Sequence, residues 1–509
     1  MSVGRVYLVG AGPGEPGLIT LRGAELLEQA DCVIYDSLAN AALLERVPAR
    51  AELINVGKRS GAHSFTQSQI NELLIRKAAE HRAIVRLKGG DPGIFGRAAE
   101  EARALAGAGI DFEIVPGVTA ATAAAEYAGV VLTDRDHSSQ VLFVTGREAE
   151  GKETSGIDWD ILARFSGSIA FYMGVGNLGD ITARLLEKGM AGTVPVCIVE
   201  NATFPQQRVV RGCLSDIVAK AADAAVASPA IIIIGRAAAG DASLDWFSRR
   251  PLKGMRILLT RDVRGNRLSA EKVRALGGVP VCFETIRFKR LTEQKEFIAA
   301  IARLASYDWL VFTSERGVEA FFESIAAFGR DARVLGHIKV ACVGTETSSC
   351  LARFGVRADF IPTVFTGAEL ARQLIQTFDV ADRRMLLLRS AISEPALADL
   401  LKAAGANVDD IACYTSQPAE SDPAGIIASL KQGGIDWVTF TSSSAVRGFF
   451  AAVEPALLRG SRAKVASIGP VTSSQLHEYG AAVTAEAAAS TFDGLLAAIV
   501  QSGGPPRVC

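Results

Sequence analysis

Short apolar runs of strand length alternate with amphipathic, alanine-rich segments along most of the chain. The runs include "RVYLVG", "ADCVIYD", "AIVRLKGG", "QVLFVTG", "SIAFYMG", "PVCIVE" and "AIIIIG". Such alternation of strands and helices is typical of α/β layers with largely parallel sheets. After Gly235 the pattern lapses into small and polar residues until the next strand, "RILLTR". We therefore predict a domain boundary between Ala237 and Gly254.

The second half of the chain contains an internal repeat. "DWLVFTSERGVEAFF" from Asp308 matches "DWVTFTSSSAVRGFF" from Asp436, and "KVACVGTETSSCLARFG" from Lys339 matches "KVASIGPVTSSQLHEYG" from Lys464, at offsets of 128 and 125 residues. A weaker third match pairs "RILLTR" with "RMLLLR", also at an offset of 128 residues. Three matches in one order predict two similar α/β units, and hence two lobes with a cleft between them.

The composition and net charge of the chain argue against some classes of binding partner. The chain has 509 residues and a formal net charge of −1, so it shows no electrostatic footprint for nucleic acid or for an anionic membrane. No apolar run is long enough to span a bilayer. A strand is predicted within five residues of the N-terminus, which leaves no room for a signal peptide, so we expect a cytoplasmic protein. The eight cysteines form no CxxC pair, so we expect reduced packing residues and no metal site.

The glycine-rich stretch from Val6 to Leu27 raises the question of a nicotinamide or flavin site. It follows a strand and precedes a helix, as a dinucleotide-binding turn does, and Asp36 comes about where a ribose-binding carboxylate is expected. However, Glu15 stands where the last glycine should be, and Pro13 and Pro16 stiffen the turn. These residues oppose the oxidoreductase hypothesis, which stays as a rival and would predict NADH binding in a fluorescence titration.

Hydroxyl side chains recur at the strand ends of the repeat. Loops that expose backbone N–H groups and hydroxyls at helix N-termini suit anions, so we expect a ligand rich in carboxylates. The alternative is that these residues are only helix N-caps. The candidate substrate-binding residues are Thr313, Ser314, Thr347, Thr441, Ser442 and Thr472.

Eight motifs follow one another in the first half of the chain. They are "VGAGPGEPGLITLRG", "VIYDSL", "GKRSGAHSFTQSQIN", "VRLKGGDPGIFGR", "VPGVTAATAAA", "TDRDHSSQVLFVTG", "FYMGVGNL" and "QQRVVRG". In this order they closely resemble uroporphyrinogen-III C-methyltransferase, from about Val3 to Arg236. The resemblance implies a fold of two unequal α/β lobes, dimerisation through this domain, and S-adenosylmethionine as the methyl donor.

The resemblance also implies functional residues. The cofactor pocket would be lined by Pro13, Gly89, Gly90, Asp91, Ile94, Thr119, Ala120, Met173 and Ala202. Asp36 is similar to the family's proposed proton acceptor and Lys58 to its proposed donor, although either could instead contact a substrate carboxylate or form a salt bridge. Further candidates for substrate carboxylates are Arg59, His63, Arg86 and Arg97.

The repeated half, from about Met255 to Val500, resembles uroporphyrinogen-III synthase, a bilobed cyclase of the tetrapyrrole pathway. Tyr414 in "IACYTSQP" matches the family's tyrosine at the lobe junction and is the candidate acid for the departing hydroxyl; the alternative is a packed aromatic residue at a strand end. Three residues depart from the family pattern, namely Ser390 and Glu394 in "RSAISEPAL" and Glu284 in "CFETI".

These resemblances together predict a bifunctional enzyme that converts hydroxymethylbilane to uroporphyrinogen III and methylates it twice to precorrin-2. The predicted division is a methyltransferase domain at 1–240, a linker at 241–254 and a synthase domain at 255–509. The expected partners are tetrapyrroles and a second copy of the chain, with no nucleic acid and no membrane. The alternative is an active methyltransferase whose C-terminal half binds tetrapyrrole without catalysis.

Overall fold

The structure is a computed structural model that describes residues 4–57, 65–136, 138–147 and 156–503. The chain divides into two units. The first unit runs to Met255 and takes in Val273–Val279, and the second consists of Arg256–Lys272 and Pro280–Ser502. Over the described ranges the strands form four five-stranded sheets, which confirms the predicted α/β class. No helix in this part of the chain is both long and apolar enough to cross a membrane.

The first unit begins with a five-stranded sheet whose strands all run parallel. Its strands are β1 (Arg5–Gly10), β2 (Cys32–Tyr35), β3 (Glu52–Asn55), β4 (Ala83–Lys88) and β5 (Phe112–Val115), in the order β3-β2-β4-β1-β5. Its helices are α1 (Leu21–Gln29), α2 (Gln67–Glu80), α3 (Ala98–Gly107) and α4 (Ala120–Tyr127). Because parallel strands end at one edge, the loops after β1, β2, β4 and β5 lie together there.

A second, mixed sheet completes the first unit. Its strands are β6 (Val141–Thr145), β7 (Ser168–Tyr172), β8 (Pro195–Glu200), β9 (Arg208–Cys213) and β10 (Ala230–Ile234), in the order β6-β7-β10-β8-β9. Its helices are α5 (Trp159–Arg164), α6 (Leu178–Glu187) and α7 (Ile217–Asp223). Strand β10 is antiparallel to both β7 and β8, so the carboxyl ends of β7 and β8 share one edge.

Two further sheets follow in the chain after Met255. The third sheet has the order β12-β11-β18-β19-β20 and the fourth has the order β13-β17-β16-β14-β15. Their strands are β11 (Arg256–Leu259), β12 (Val279–Cys282), β13 (Ile286–Arg290), β14 (Trp309–Phe312), β15 (Lys339–Cys342), β16 (Arg384–Ser390), β17 (Asn407–Pro418), β18 (Trp437–Phe440), β19 (Lys464–Ser467) and β20 (Ala485–Glu486). The helices are α8 (Val263–Ala275), α9 (Lys295–Ala302), α10 (Glu315–Ala327), α11 (Thr345–Ala352), α12 (Gly367–Thr377), α13 (Ala396–Ala403), α14 (Ala424–Lys431), α15 (Ser443–Ala452), α16 (Pro455–Gly460), α17 (Pro470–Glu478) and α18 (Phe492–Ser502).

The two copies of the sequence repeat exchange strands between these two sheets. Equivalent strands occur in the same order, β11-β18-β19 in the third sheet and β16-β14-β15 in the fourth. Each sheet nevertheless combines strands from both copies, because the chain leaves the third sheet after β12, builds the whole fourth sheet, and returns at β18. The repeat therefore predicts two similar lobes, but neither copy forms a lobe by itself.

Candidate active sites

Three loops of the first unit meet at the carboxyl edge of its parallel sheet. Gly12 and Gly90 form a two-way backbone bridge, in which Gly90 N–H donates to Gly12 O at 2.8 Å and Gly12 N–H donates to Gly90 O at 3.2 Å. The Asp91 carboxylate accepts one hydrogen bond from Gly93 N–H at 2.7 Å and another from Gly117 N–H at 2.9 Å. The predicted loops at Pro13, at 89–91 and at 119–120 are thus brought together.

These loops approach one another more closely than side chains would allow. A Cβ atom added to Gly10 would lie 2.6 Å from the Gly117 backbone, and one added to Gly117 would lie 2.3 Å from Gly90 O. Gly90 also has a φ of +68°, which glycine adopts without strain. The glycines therefore let the backbones of the three loops pack directly against one another, with no side chains between them.

The second lobe of the first unit adds apolar side chains to this edge. Thr119 Oγ1 and Tyr172 Oη are 2.6 Å apart, so the end of β7 contacts the start of α4. Met173 follows Tyr172 and is 52% exposed, while Phe95 lies with its ring centroid 5.0 Å from that of Tyr172. Ala202 follows β8 at the same edge, and Ile94 is also exposed. Exposed apolar groups beside satisfied backbone loops fit S-adenosylmethionine.

Backbone strain concentrates around the same loops. Seven of the described non-glycine residues have a positive φ, and five of them flank this edge. They are Phe95, Arg97, Met173, Asn201 and Thr203. Such conformations cost free energy and persist where the surrounding structure fixes them, most often at functional sites. Phe95, Tyr172 and Thr203 were missed from the sequence because their position depends on the packing of two lobes.

The glycine-rich loop has a different course from a dinucleotide-binding turn. After β1 the chain makes a 3₁₀ turn at Pro16–Leu18, and α1 begins only at Leu21. Its N-terminus is capped by Thr20, whose Oγ1 accepts from Gly23 N–H at 3.1 Å. Since the side chain of Thr20 already satisfies a first-turn N–H group, this helix end differs from the phosphate-binding end of the dinucleotide fold. This geometry also opposes the oxidoreductase hypothesis.

A buried cluster of charges lies beneath Asp36. Arg86 Nη2 is 3.5 Å from Asp36 Oδ2, and Arg86 Nε is 3.4 Å from Glu101 Oε1. Lys88 Nζ donates to the same Glu101 oxygen at 2.7 Å. Burial lowers the pKa of Lys88, and the neighbouring Arg86 lowers it further. The cluster therefore holds the guanidinium of Arg86 next to Asp36, the predicted proton acceptor.

This cluster changes the interpretation of two candidates. Arg86 was expected to meet substrate carboxylates, yet it is buried and shared between Asp36 and Glu101. Arg97 pairs with Glu100 on the surface at 2.7 Å. Sequence reasoning missed Glu101 because an acidic residue in a helix is usually exposed. Lys58, Arg59 and His63 lie outside the described residues.

In the second unit, a β-bulge aims Tyr414 away from its strand neighbours. The β16–β17 register passes from Arg389 opposite Ala412 to Ser390 opposite Tyr414, so one residue of β17 is skipped. Bulges commonly redirect a side chain in this way. Tyr414 Oη donates to Ser314 Oγ at 3.0 Å, and burial raises the pKa of the phenol. The phenol stays protonated, and it can act as an acid once a substrate oxygen replaces the Ser314 hydroxyl as the acceptor of its proton.

Two arginines that the sequence analysis did not select lie in the second unit, one after β11 and one in the first turn of α10. The Arg316 guanidinium lies 3.5 Å from the centroid of Phe288, whose ring is 5.8 Å from that of Tyr414. Arg316 also pairs with Asp262 at 2.8 Å. Arg261 lies at the end of β11, and burial lowers the pKa of its guanidinium. Arg261 is the last residue of the "RILLTR" motif, directly before Asp262. This place in the sequence repeat is the signal that could have found it.

The predicted hydroxyl residues occupy equivalent places in the two lobes. Ser314 Oγ accepts from Gly317 N–H at 3.2 Å, and Ser442 Oγ accepts from Ala445 N–H at 3.1 Å, so both are N-caps, as the alternative held. Thr313 and Thr441 directly follow β14 and β18. The remaining two, Thr347 in α11 and Thr472 in α17, are each only 4% exposed.

Two of the departures from the family pattern surround a paired arginine. Arg389 Nε donates to Asp410 Oδ1 at 2.5 Å, and its Nη2 contacts the second oxygen of the same carboxylate. Arg389 Nη1 donates to the backbone oxygen of Glu394 at 2.5 Å, and Ser390 lies opposite Tyr414. The altered loop therefore holds the Arg389 guanidinium in a fixed position, next to the strand residue opposite Tyr414, the candidate acid.

One set of side chains in the described part of the chain could offer three metal-ligand atoms. Cys32, Glu52 and His81 present donors within 4.8 Å of one another. The Lys77 ammonium, however, lies 2.8 Å from the Glu52 carboxylate. Burial raises the pKa of the Cys32 thiol to about 11, which disfavours the thiolate that a metal needs. We therefore assign no metal to this set.

Comparisons with known proteins agree with the order of the two units. Residues 5–218 match the family described as Tetrapyrrole (Corrin/Porphyrin) Methylases, and residues 268–497 match Uroporphyrinogen-III synthase HemD. The Porphyrin biosynthesis protein HemD of Ruminiclostridium josui is 35% identical over 505 residues, which cover 99% of each chain. The S-adenosyl-L-methionine-dependent uroporphyrinogen III methyltransferase of Methanosarcina barkeri is 47% identical over 232 residues, 46% of this chain and 91% of the relative.

A solved structure also matches the first half. The uroporphyrin-III C-methyl transferase from Thermus thermophilus complexed with S-adenyl homocysteine has a TM-score of 0.40 at 37% identity, over 46% of this chain and 98% of that one. By its full-length relative, the chain belongs to the porphyrin biosynthesis proteins that join a tetrapyrrole methylase to a uroporphyrinogen-III synthase. The predicted family memberships are confirmed, and the chain is an enzyme of tetrapyrrole biosynthesis.

Proposed function

We propose that the second unit converts hydroxymethylbilane to uroporphyrinogen III and that the first unit methylates this product twice to give precorrin-2. The observation that carries the proposal is the convergence of the loops at Pro13, Asp91 and Thr119 with Met173 and Ala202 of the second lobe. The full-length relationship to a porphyrin biosynthesis protein supports placing both reactions in one chain.

The first unit would hold S-adenosylmethionine at this edge. Gly89 and Gly90 carry no side chains that would hold a ligand away from the backbone, while the exposed Ile94 and Met173 offer apolar contact. When bound, this group supplies the methyl that is transferred to a pyrrole carbon. Asp91 positions the loops, because both of its oxygens already accept backbone hydrogen bonds. Fixed loops favour alignment of the reacting atoms, which is a large part of catalysis by displacement.

Asp36 would accept the proton that the methylated pyrrole carbon must lose. Arg86 is buried and lies 3.5 Å from this carboxylate, so it holds the Asp36 side chain in position. Glu101 holds Arg86 from the opposite side. Lys58, as the proposed donor, remains a prediction from the resemblance.

Tyr414 would act as the acid in the cyclisation. The reaction joins the two ends of the linear tetrapyrrole, inverts the last pyrrole ring and releases water. The phenol gives its proton to the departing hydroxyl, and the proton released when the ring closes restores the phenol. Ser314 lies 3.0 Å from the phenol oxygen and fixes its direction. Arg261 is the cation proposed to face a substrate carboxylate, since Arg316 is already paired with Asp262.

A specific observation also favours the alternative, in which the C-terminal half binds tetrapyrrole without catalysis. The guanidinium of Arg389 is tied to Asp410 and to the backbone of Glu394, within the loop that departs from the family pattern. An arginine held in this way is not available to a substrate carboxylate. This alternative predicts tetrapyrrole binding without turnover.

Other features of the proposal come from the family resemblance. The methyltransferase domain would form a homodimer, and the enzyme would work in the cytoplasm on tetrapyrroles rather than on nucleic acid or a membrane. We propose that residues 1–240 carry the methyltransferase activity and residues 255–509 the synthase activity.

Two single variants of the full chain test the assignment of the reactions. Asp36→Asn is expected to form uroporphyrinogen III from hydroxymethylbilane at the wild-type rate but to lose methylated products. Tyr414→Phe is expected to retain methylation of added uroporphyrinogen III and to lose cyclisation. If each variant lost both activities or neither, the assignment of one reaction to each unit would be wrong.

A further inference from the structure

The segment at 241–254, predicted as a linker, packs tightly onto the first unit. Phe247 is 1% exposed, and its ring centroid lies 4.9 Å from that of Tyr127. Trp246 lies 4.8 Å from the same ring, and its Nε1–H donates to Glu126 O at 3.2 Å. A flexible linker would not bury a phenylalanine, so this segment is a structural part of the first unit.

The same segment also reaches the turn after β8. Lys253 Nζ donates to Pro205 O at 2.8 Å and lies 3.9 Å from the centroid of Phe247. Pro205 belongs to the turn at 201–207, which also carries Ala202. Asn201 and Thr203 in this turn have φ angles of +48° and +70°. A turn with two such residues depends on outside contacts to keep its conformation.

A chain of hydrogen bonds continues from this turn to the glycine-rich loop. Gln207 Nε2–H donates to Tyr127 O at 2.8 Å, and Gln207 Oε1 accepts from Thr203 N–H at 2.8 Å. Thr203 Oγ1 in turn accepts from Glu15 N–H at 2.8 Å. Phe204 packs on the same loop so closely that a Cβ atom on Gly14 would lie 2.3 Å from its ring.

We propose that the segment at 241–254 is a positioning element of the methyl-donor pocket. Phe247 and Lys253 fix the turn at 201–207, and that turn fixes both Ala202 and the loop next to Pro13. Without the segment, the strained turn would relax and two walls of the pocket would move. This inference rests on the proposed function, because it takes Pro13 and Ala202 as pocket residues.

The test measures binding of S-adenosylhomocysteine to the full chain by titration calorimetry. Phe247→Ala and Lys253→Met are each expected to raise the Kd about tenfold. Lys253→Arg keeps a donor and is expected to restore affinity to within about twofold of wild type. Leu244→Ala is the matched control, because Leu244 belongs to the same segment and its side chain is exposed.

A kinetic measurement separates positioning from general stability. In the Lys253→Met variant the KM for S-adenosylmethionine should rise about tenfold, while kcat at saturating donor stays within about twofold of wild type. Unchanged affinity in both Phe247→Ala and Lys253→Met would overturn the inference. If the wild-type chain failed to bind S-adenosylhomocysteine, the proposed function itself would fail, and the inference with it.

Discussion

Removal of the Glu101 carboxylate is expected to destabilise the first unit more than removal of any surface acid. Glu101 is fully buried in α3, where one oxygen accepts from Lys88 at 2.7 Å and lies 3.4 Å from Arg86 Nε. Its other oxygen has no hydrogen-bond partner in the described structure. In Glu101→Ala, two buried cations would lose the carboxylate between them, and only Asp36 would remain near Arg86.

The expected loss follows from what a buried charge costs without its partner. Breaking a buried ion pair by removing one member typically costs about 3–5 kcal/mol. We take the lower end, about 3 kcal/mol, because one of the two Glu101 oxygens lacks a hydrogen-bond partner in the described structure. This free energy corresponds to about a 150-fold change in the unfolding equilibrium constant. Glu100 offers a matched control on the same helix. Its side chain is 45% exposed and forms a surface pair with Arg97, so Glu100→Ala should cost less than about 1 kcal/mol.

Hydrogen exchange with mass spectrometry reads this effect locally. In Glu101→Ala, amides of β4 should exchange about 150-fold faster than in wild type. Peptides from β14, in the other unit, should keep their rates and serve as an internal reference. If β4 exchanged within about threefold of wild type, the buried cluster would not be stabilised by this carboxylate.

The loss of stability caused by Glu101→Ala should also depend on pH. The pKa of Lys88 is lowered in the folded state, so between that pKa and the ordinary value of 10.5 the unfolded chain binds more protons. Stability therefore rises with pH in this window. Glu101 favours the charged form of Lys88, so its removal lowers the pKa of Lys88 further and widens the window. The destabilisation by Glu101→Ala should shrink as pH is raised, and a loss that grew with pH would contradict this account.

Three further predictions concern catalysis, thiol chemistry and the glycine loops. Tyr414→Phe should lower kcat for cyclisation about 100-fold, because burial raises the pKa of Tyr414 and keeps the phenol protonated at neutral pH. A rate within about threefold of wild type would exclude the phenol as the acid. Burial raises the pKa of Cys342 and Cys413 to about 12, so iodoacetamide should label neither in the folded protein and both after unfolding; labelling of the folded protein would contradict their burial. Gly117→Ala would place a Cβ atom 2.3 Å from a facing carbonyl oxygen and should weaken S-adenosylhomocysteine binding at least about tenfold. Gly107→Ala is the control, because its added Cβ atom would have nothing within 4 Å, and it should leave the affinity unchanged. Equal affinities of the two variants would show that the close approach is unimportant.

Much of the architecture follows from local patterns that the sequence displays. The short apolar runs became strands because they are buried in parallel or mixed sheets, as Ile232 and Ile233 of β10 illustrate. The glycine loop could be separated from a dinucleotide turn by Glu15, Pro13 and Pro16, since a 3₁₀ turn begins at Pro16 where the dinucleotide fold would begin a helix. These features depend on residues close together in the chain.

Other features depend on contacts that no local pattern records. Glu101 looks like an ordinary surface acid of a helix, and only the packing of α3 on β4 places it between two cations. Tyr414 is aimed by a bulge whose position depends on the register with β16. Phe247 lies in a stretch rich in polar and small residues, so its burial depends on Tyr127, which is 120 residues earlier in the chain. The exchange of repeat strands between lobes likewise follows from topology.

The most direct measurement gives the purified full chain hydroxymethylbilane, with and without S-adenosylmethionine, and identifies the tetrapyrroles after oxidation. The account predicts the type III isomer alone in the first case and its dimethylated product in the second. If only the spontaneously formed type I ring or its methylated derivatives appeared, the second unit would not be a synthase, and the claim of two activities in one chain would be wrong.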